Sequence, residues 1–221
     1  MAHVQSTFAA YSGGATQNLP FTRGVTAGSL LIAVATTSTT GAAYSVSDGV
    51  NTWTRVITGV GDTSGLTVWY AYNAAAGATT VTFTLDIGVS GDIAVLEYDH
   101  VYADTDPVDQ INSTTYTATT TPSISDTTTS PRELVLGFLS NVTATVVLTP
   151  PSGMITRSQS SFANGHTVFE RITPFVDTFN VNPTMNASST GGIGIVTFRM
   201  LSKKLYVNAR RPAVFSPGLA R

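Results

Sequence analysis

The strongest constraint on this chain is that part of it repeats. Residues 65–101 (GLTVWYAYNAAAGATTVTFTLDIGVSGDIAVLEYDHV) recur without a gap in residues 165–201 (GHTVFERITPFVDTFNVNPTMNASSTGGIGIVTFRML). Gly65, Thr67, Val68, Val81, Thr84, Gly91 and Ile93 fall on identical residues a hundred positions on; Trp69 falls on Phe169, Val95 on Ile195 and Tyr98 on Phe198. A repeat at fixed offset implies a fold assembled from copies of one unit. The echo continues upstream with small shifts, SLLIAVATT at 29–37 resembling ELVLGFLSN at 133–141 and Trp53-Thr54-Arg55 resembling Ile155-Thr156-Arg157.

Both copies consist of short runs rich in Val, Ile, Thr and aromatics, bounded by Gly, Asn, Asp and Pro, which is the pattern of strands and tight turns. Strands are expected at 4–11, 29–37, 53–58, 66–73, 79–85, 92–99, 111–118, 133–140, 155–160, 166–172, 177–181 and 193–200, with no stretch of helical period. The expected fold is all-β: a two-sheet antiparallel sandwich, jelly-roll-like, with an internal pseudo-twofold repeat. Halves at about 1–101 and 120–201 would face each other over one shared core, forming a single domain at 1–201. Residues 99–131 read as a crossover carrying one strand. Charged residues are only 11% of the chain and threonine takes their place, which suits pleated sheets and subunits packed among neighbours.

Residues 1–201 hold 6 basic and 13 acidic residues, net −7, whereas 202–221 hold five basic residues and no acid. The tail has no strand alternation and two prolines, yet it carries Leu205, Tyr206, Val207, Val214, Phe215 and Leu219. It reads as an extended C-terminal arm seeking a groove, with Lys203, Lys204, Tyr206, Arg210, Arg211, Phe215 and Arg221 as partner-binding residues. Five charges spread over twenty residues on an acidic body favour an acidic subunit surface over nucleic acid. There is no cysteine, the amino terminus lacks a secretory pattern, and the longest apolar run, 30–35, cannot span a bilayer. Synthesis in the cytoplasm, with no membrane partner, is the expectation.

No residue set forms a catalytic site. His3, His100 and His166 are scattered and read as surface histidines. Glu97 and Asp99 share a strand face and are expected to face solvent. Asp104, Asp106 and Asp109 cluster at a turn, where hard cations such as Ca²⁺ could find oxygens, but the spacing does not match a calcium loop, and no metal or other cofactor is expected. Asp48-Gly49-Val50-Asn51 reads as a turn. Trp69 belongs to the core, which puts Val68, Tyr70 and Tyr72 on the opposite, exposed face. There Tyr70 and Tyr72 could stack on sugar rings or make subunit contacts.

Ala27-Gly28-Ser29-Leu30-Leu31, Asp48-Gly49-Val50-Asn51-Thr52-Trp53, Trp69-Tyr70-Ala71-Tyr72-Asn73, Gly77-Ala78-Thr79-Thr80-Val81, Glu97-Tyr98 and Asp106-Pro107-Val108-Asp109 together resemble a β-sandwich module recurring in bacterial surface proteins and tailed-phage virion proteins. The resemblance covers about residues 4–201 and brings no shared catalytic residues. It implies a non-enzymatic structural protein of a bacteriophage virion, made in the host cytoplasm. The short chain and its arm favour a capsid decoration or cement protein, self-associating as a dimer or trimer and docking on capsid or tail subunits. The alternative it implies is a glycan-binding adhesion module of a phage tail or bacterial surface.

Overall fold

A computed structural model describes residues 3–77, 80–101, 105–143 and 146–201. The arm residues named above, and Asp104, lie outside that set. The first half contains β1 (His3–Ser12), β2 (Thr16–Pro20), β3 (Leu30–Thr37), β4 (Ala43–Ser47), β5 (Thr54–Val60), β6 (Gly65–Ala71), β7 (Thr80–Leu85) and β8 (Ser90–Tyr98). The second contains β9 (Val108–Thr119), β10 (Ile124–Thr127), β11 (Glu133–Asn141), β12 (Leu148–Thr149), β13 (Ile155–Gln159), β14 (Gly165–Thr173), β15 (Thr178–Val181), β16 (Thr184–Met185) and β17 (Ser189–Arg199). All twelve expected strands have a counterpart. The segment read as a one-strand crossover carries two strands, β9 and β10.

Two five-stranded antiparallel sheets dominate, and their orders match term by term: β1-β8-β3-β6-β5 in the first and β9-β17-β11-β14-β13 in the second. The registers match as well. Ala33 pairs with Trp69 and Val95 just as Gly137 pairs with Phe169 and Ile195. A bulge between Arg55 and Ile57 in β5 recurs between Thr156 and Ser158 in β13, and one near the start of β1 recurs in the β9–β17 pairing. This register aligns Thr54 with Ile155, since they face Tyr70 and Glu170 respectively. The Thr-Arg pairs seen in the sequence are therefore one residue out of step, and Arg157 falls at the bulge position of Val56.

The expectation of one shared core is corrected by the packing. The two large sheets do share a core, built from Leu30, Ile32, Val34, Leu66, Val68 and Tyr98 on one side and Leu134, Leu136, Phe138, Val168, Val196 and Phe198 on the other. Each large sheet also buries its opposite face under a smaller one. The sheet β2-β7-β4 covers Leu31, Ala33, Trp69, Ile93 and Val95. The pairs β10-β15 and β12-β16 cover Val135, Leu139, Phe169, Ile193 and Ile195. The result is four layers and three cores. The split of the last layer has a local cause: Pro183 stands where β7 has Phe83, and proline has no N–H to give the ladder, so one strand becomes β15 and β16.

The halves are joined at matching points. Thr36 Oγ1 donates to the Asn164 carbonyl (2.5 Å), and Ser140 Oγ, its counterpart on β11, donates to the Ser64 carbonyl (2.8 Å). Beside them run Gly91 and Gly191, where an added Cβ would lie 2.0 Å from the Thr36 carbonyl oxygen and 2.1 Å from that of Ser140. One of the identities in the echo, Gly91 with Gly191, is thus fixed by the same close approach of backbone in both halves.

Candidate functional site

The inner face of β6 runs past the edge of the shared core, and a concave groove of about 500 Å³ opens there. Val68 and Tyr70 are buried, which corrects the expectation of an exposed face; only Tyr72, 37% accessible, emerges. Its ring stacks on that of Tyr70, with centroids 6.3 Å apart and planes inclined by 21°. The Tyr70 hydroxyl donates to Asp106 Oδ2 (2.7 Å), and Asp106 Oδ1 accepts from the Val108 N–H (3.1 Å), so the segment leading into β9 is pinned against the tyrosine pair. Burial, then the bond to Asp106, raises the Tyr70 pKa and keeps its proton in place.

The opposite wall is the turn before β5. Asp48 Oδ1 accepts from the N–H groups of Val50 (3.0 Å) and Asn51 (2.7 Å), and Asp48 Oδ2 accepts from Asn51 Nδ2 (2.6 Å). Burial disfavours the Asp48 carboxylate, but these bonds outweigh it and lower its pKa. Asn51 Oδ1 in turn accepts from the Ala75 N–H (2.8 Å), tying the turn to the loop after β6. Thr52 and Thr54 complete the wall. Two of the motifs singled out in the sequence, the Asp48 turn and Asp106-Pro107, thus meet at the tyrosines.

In the second half the same location is furnished differently. Register and offset put Glu170, Ile172, Ile155 and Phe175 in place of Tyr70, Tyr72, Thr54 and Ala75. Glu170 is buried and held by two bonds from Arg157, Nε to Oε2 (2.6 Å) and Nη2 to Oε1 (3.0 Å). Burial, then the Arg157 charge, lowers the pKa of nearby His3. Ile155, Ile172, Phe175 and Val176 are exposed. Arg132, Ile172, Thr173 and Pro174 line a shallow hollow, and the last strand ends beside it, where the Met200 N–H donates to the Arg132 carbonyl.

Glu97 does not face solvent. It is fully buried and accepts from Gln5 Nε2 (2.6 Å), the Thr26 N–H (2.8 Å) and Ser29 Oγ (2.8 Å). Asp99, its supposed companion, instead contacts His100 Nδ1 (2.9 Å). The second half rebuilds the Glu97 site from the neighbouring strand. Thr197 stands at the position of Glu97, and Glu133 stands at that of Ser29 and accepts from the Ser130 N–H (3.1 Å). Burial pushes the Glu133 carboxyl up to about 7, against the hydrogen bond from Thr197 and with the help of adjacent Asp109. Burial also disfavours the Asp109 carboxylate, but bonds from Thr129 and Arg199 prevail and lower its pKa. Asp106 and Asp109 thus serve different partners, and among the described residues no three His, Cys, Asp or Glu side chains converge as metal ligands.

One polar constellation escaped the sequence reading. His166 is buried, contrary to expectation, with Nε2 2.7 Å from Ser158 Oγ and Nδ1 3.7 Å from Asp92 Oδ2 on the other large sheet. Phe8 sets its ring edge against the imidazole, with centroids 5.4 Å apart. Ser158 and His166 have Ile57 and Leu66 as their counterparts in the first half, and Asp92 has Gly192 as its counterpart in the second. A Ser–His–Asp line suggests nucleophilic catalysis, but Asp92 and His166 are sealed, Ser158 is 6% accessible, and the Asp–His separation exceeds a hydrogen bond. The trio is a packed interface between the halves. Its signal was present in the echo, where Leu66 meets His166 and Asp92 meets Gly192.

Fold and groove together define an all-β protein of sandwich type, built on two five-stranded antiparallel sheets that do not close into a barrel. Comparison with protein-family models, with curated proteins and with solved structures found no match.

Proposed function

We propose that the chain is a non-enzymatic structural protein of a tailed-phage particle, decorating or cementing its shell. Its body is a tandem pair of jelly-roll-like sandwiches related by a pseudo-twofold axis. The strand orders, bulges and interface hydrogen bonds that recur between the halves support the duplication. The observation that carries the assembly reading is the apolar surface of Ile155, Ile172, Phe175 and Val176, placed where the other half has a polar groove. Exposed apolar residues gathered at one end of a sheet mark a subunit contact. The last described strand ends beside that surface, and the sequence beyond it is basic and apolar while the body is acidic. Residues 202–221 would therefore dock on a neighbouring capsid or tail subunit, with Tyr206, Arg210, Arg211 and Phe215 as anchors. The test is co-sedimentation with the particle. Deleting residues 202–221 is expected to leave circular dichroism and the melting midpoint unchanged and to abolish particle binding. Undiminished binding by the truncated chain would refute the reading.

A further inference from the structure

We propose that the groove beside β6 is a binding site for neutral sugars, present once per chain and confined to the first half. This does not depend on the particle reading above, and it assigns the groove rather than the apolar surface a ligand. Three observations converge on it.

The groove holds an aromatic platform. Tyr72 is accessible and backed by the nearly parallel ring of buried Tyr70, whose own orientation is fixed by Asp106. A tyrosine ring braced in this way offers a flat apolar surface that costs little further ordering when the C–H face of a pyranose settles on it. The cavity, about 500 Å³, lies within the range of roughly 300–1,000 Å³ usual for small-ligand sites.

The rest of the lining suits hydroxyl groups. Thr52, Thr54 and Asn73 join Asn51 around the platform. These amide and hydroxyl groups can both donate and accept, as a sugar's vicinal hydroxyls require. The Asp48–Asn51 bonds and the Asn51–Ala75 bond hold this wall in place before any ligand arrives.

Charge selects among sugars. Among the described residues the lining includes the Asp106 carboxylate and no Lys or Arg, with Asp48 in the adjoining turn. Sialic and uronic acids would bring a carboxylate toward these groups without a compensating cation, so uncharged hexoses and N-acetylhexosamines are the class that fits. In the second half the platform is replaced by Glu170 and Ile172 and the hydroxyl of Thr54 by Ile155, which removes both stacking and hydrogen bonding. One site per chain follows, and avidity on a glycan surface would come only from copies displayed together.

The experiment is ¹⁵N-resolved NMR titration of the full chain with neutral glucose, galactose and N-acetylglucosamine trisaccharides, and with a sialylated trisaccharide for comparison. At least one neutral trisaccharide is expected to shift the amide signals of Asn51, Tyr72 and Asn73 and to leave Ile172 unmoved. Tyr72→Ala should weaken that binding at least about tenfold, and Tyr72→Phe, which keeps the ring, by no more than about threefold. Because Tyr72 is at the surface, unchanged spectra elsewhere will certify that both variants fold. The proposal is overturned if none of the neutral trisaccharides binds more tightly than about 10 mM. It is equally overturned if the sialylated one binds best, or if Tyr72→Ala binds as the parent does.

Discussion

Glu133 shows what a single buried side chain can report. Its counterpart in the first half, Ser29, donates to Glu97, whereas here the carboxyl itself sits on β11 beside Asp109, with one oxygen bonded to the Ser130 N–H. A buried carboxyl next to a carboxylate keeps its proton, which is why burial carries Glu133 up to about 7. The folded state therefore holds that proton more tightly than the unfolded chain does. Its stabilising effect is complete below the ordinary glutamate range and is lost as pH rises through about 7. Glu133→Gln should be more stable than the parent at pH 8, and the gap should close as pH falls toward 5. Chemical denaturation of both proteins at several pH values measures this difference directly. Comparing the two proteins cancels His3, whose lowered pKa acts in the opposite sense, withdrawing stability as pH falls. A gap that does not change with pH would mean that Glu133 titrates as it does in the unfolded chain.

Among the strands, glycine identities in the repeat mark contacts rather than flexibility. Gly91 of β8 and Gly191 of β17 lie against the carbonyls of Thr36 and Ser140, with no space for a methyl group. Gly91→Ala and Gly191→Ala should each cost on the order of 2–3 kcal/mol by forcing strands apart. The costs should be similar, since the environments match, and urea midpoints compare them. By contrast, five strands were not legible: β2, β4, β10, β12 and β16 are short, rich in Ser, Thr and Asn, and belong to the outer layers. Missing them is what reduced three cores to one. Yet the outer layers left a mark in the sequence, because LLIAVATT and ELVLGFLSN run without polar alternation, and both strands are buried at every position. A strand without alternation needs cover on both faces. Tyr72 was legible as a surface aromatic, but Tyr70 was not legible as its buried support. Periodicity gives the face a residue occupies and cannot say how far along that face the partner sheet extends. His166 and Asp92 were hidden for a similar reason, since only the packing of one half on the other brings them together.

At the scale of the whole molecule, two large sheets of the same strand order in one chain pose a problem of self-recognition. The two large sheets have the same order and similar apolar inner faces, so a first half could pair with another chain's first half instead of with its own second half. The Asp92–His166–Ser158 trio makes the two choices unequal. Within one chain, Asp92 faces the polar imidazole of His166; in a pairing of two first halves it would face Leu66, a less favourable setting for a buried polar group. Polar groups buried for this purpose are costly when half-removed and nearly neutral when removed together. His166→Leu should therefore destabilise the protein by on the order of 2 kcal/mol, because Ser158 Oγ loses its hydrogen-bond partner and the buried Asp92 side chain loses the imidazole that faces it. Adding Asp92→Ala should restore most of that loss. Scanning calorimetry will measure both effects, with the parent unfolding in a single transition because all the layers share cores in series. The restored double variant, now apolar on both inner faces, should also sediment as a concentration-dependent dimer where the parent's association is unaffected by this interface. If the two substitutions add instead of compensating, Asp92 and His166 are not coupled. If they compensate but association is unchanged, the trio stabilises the interface without directing which halves meet.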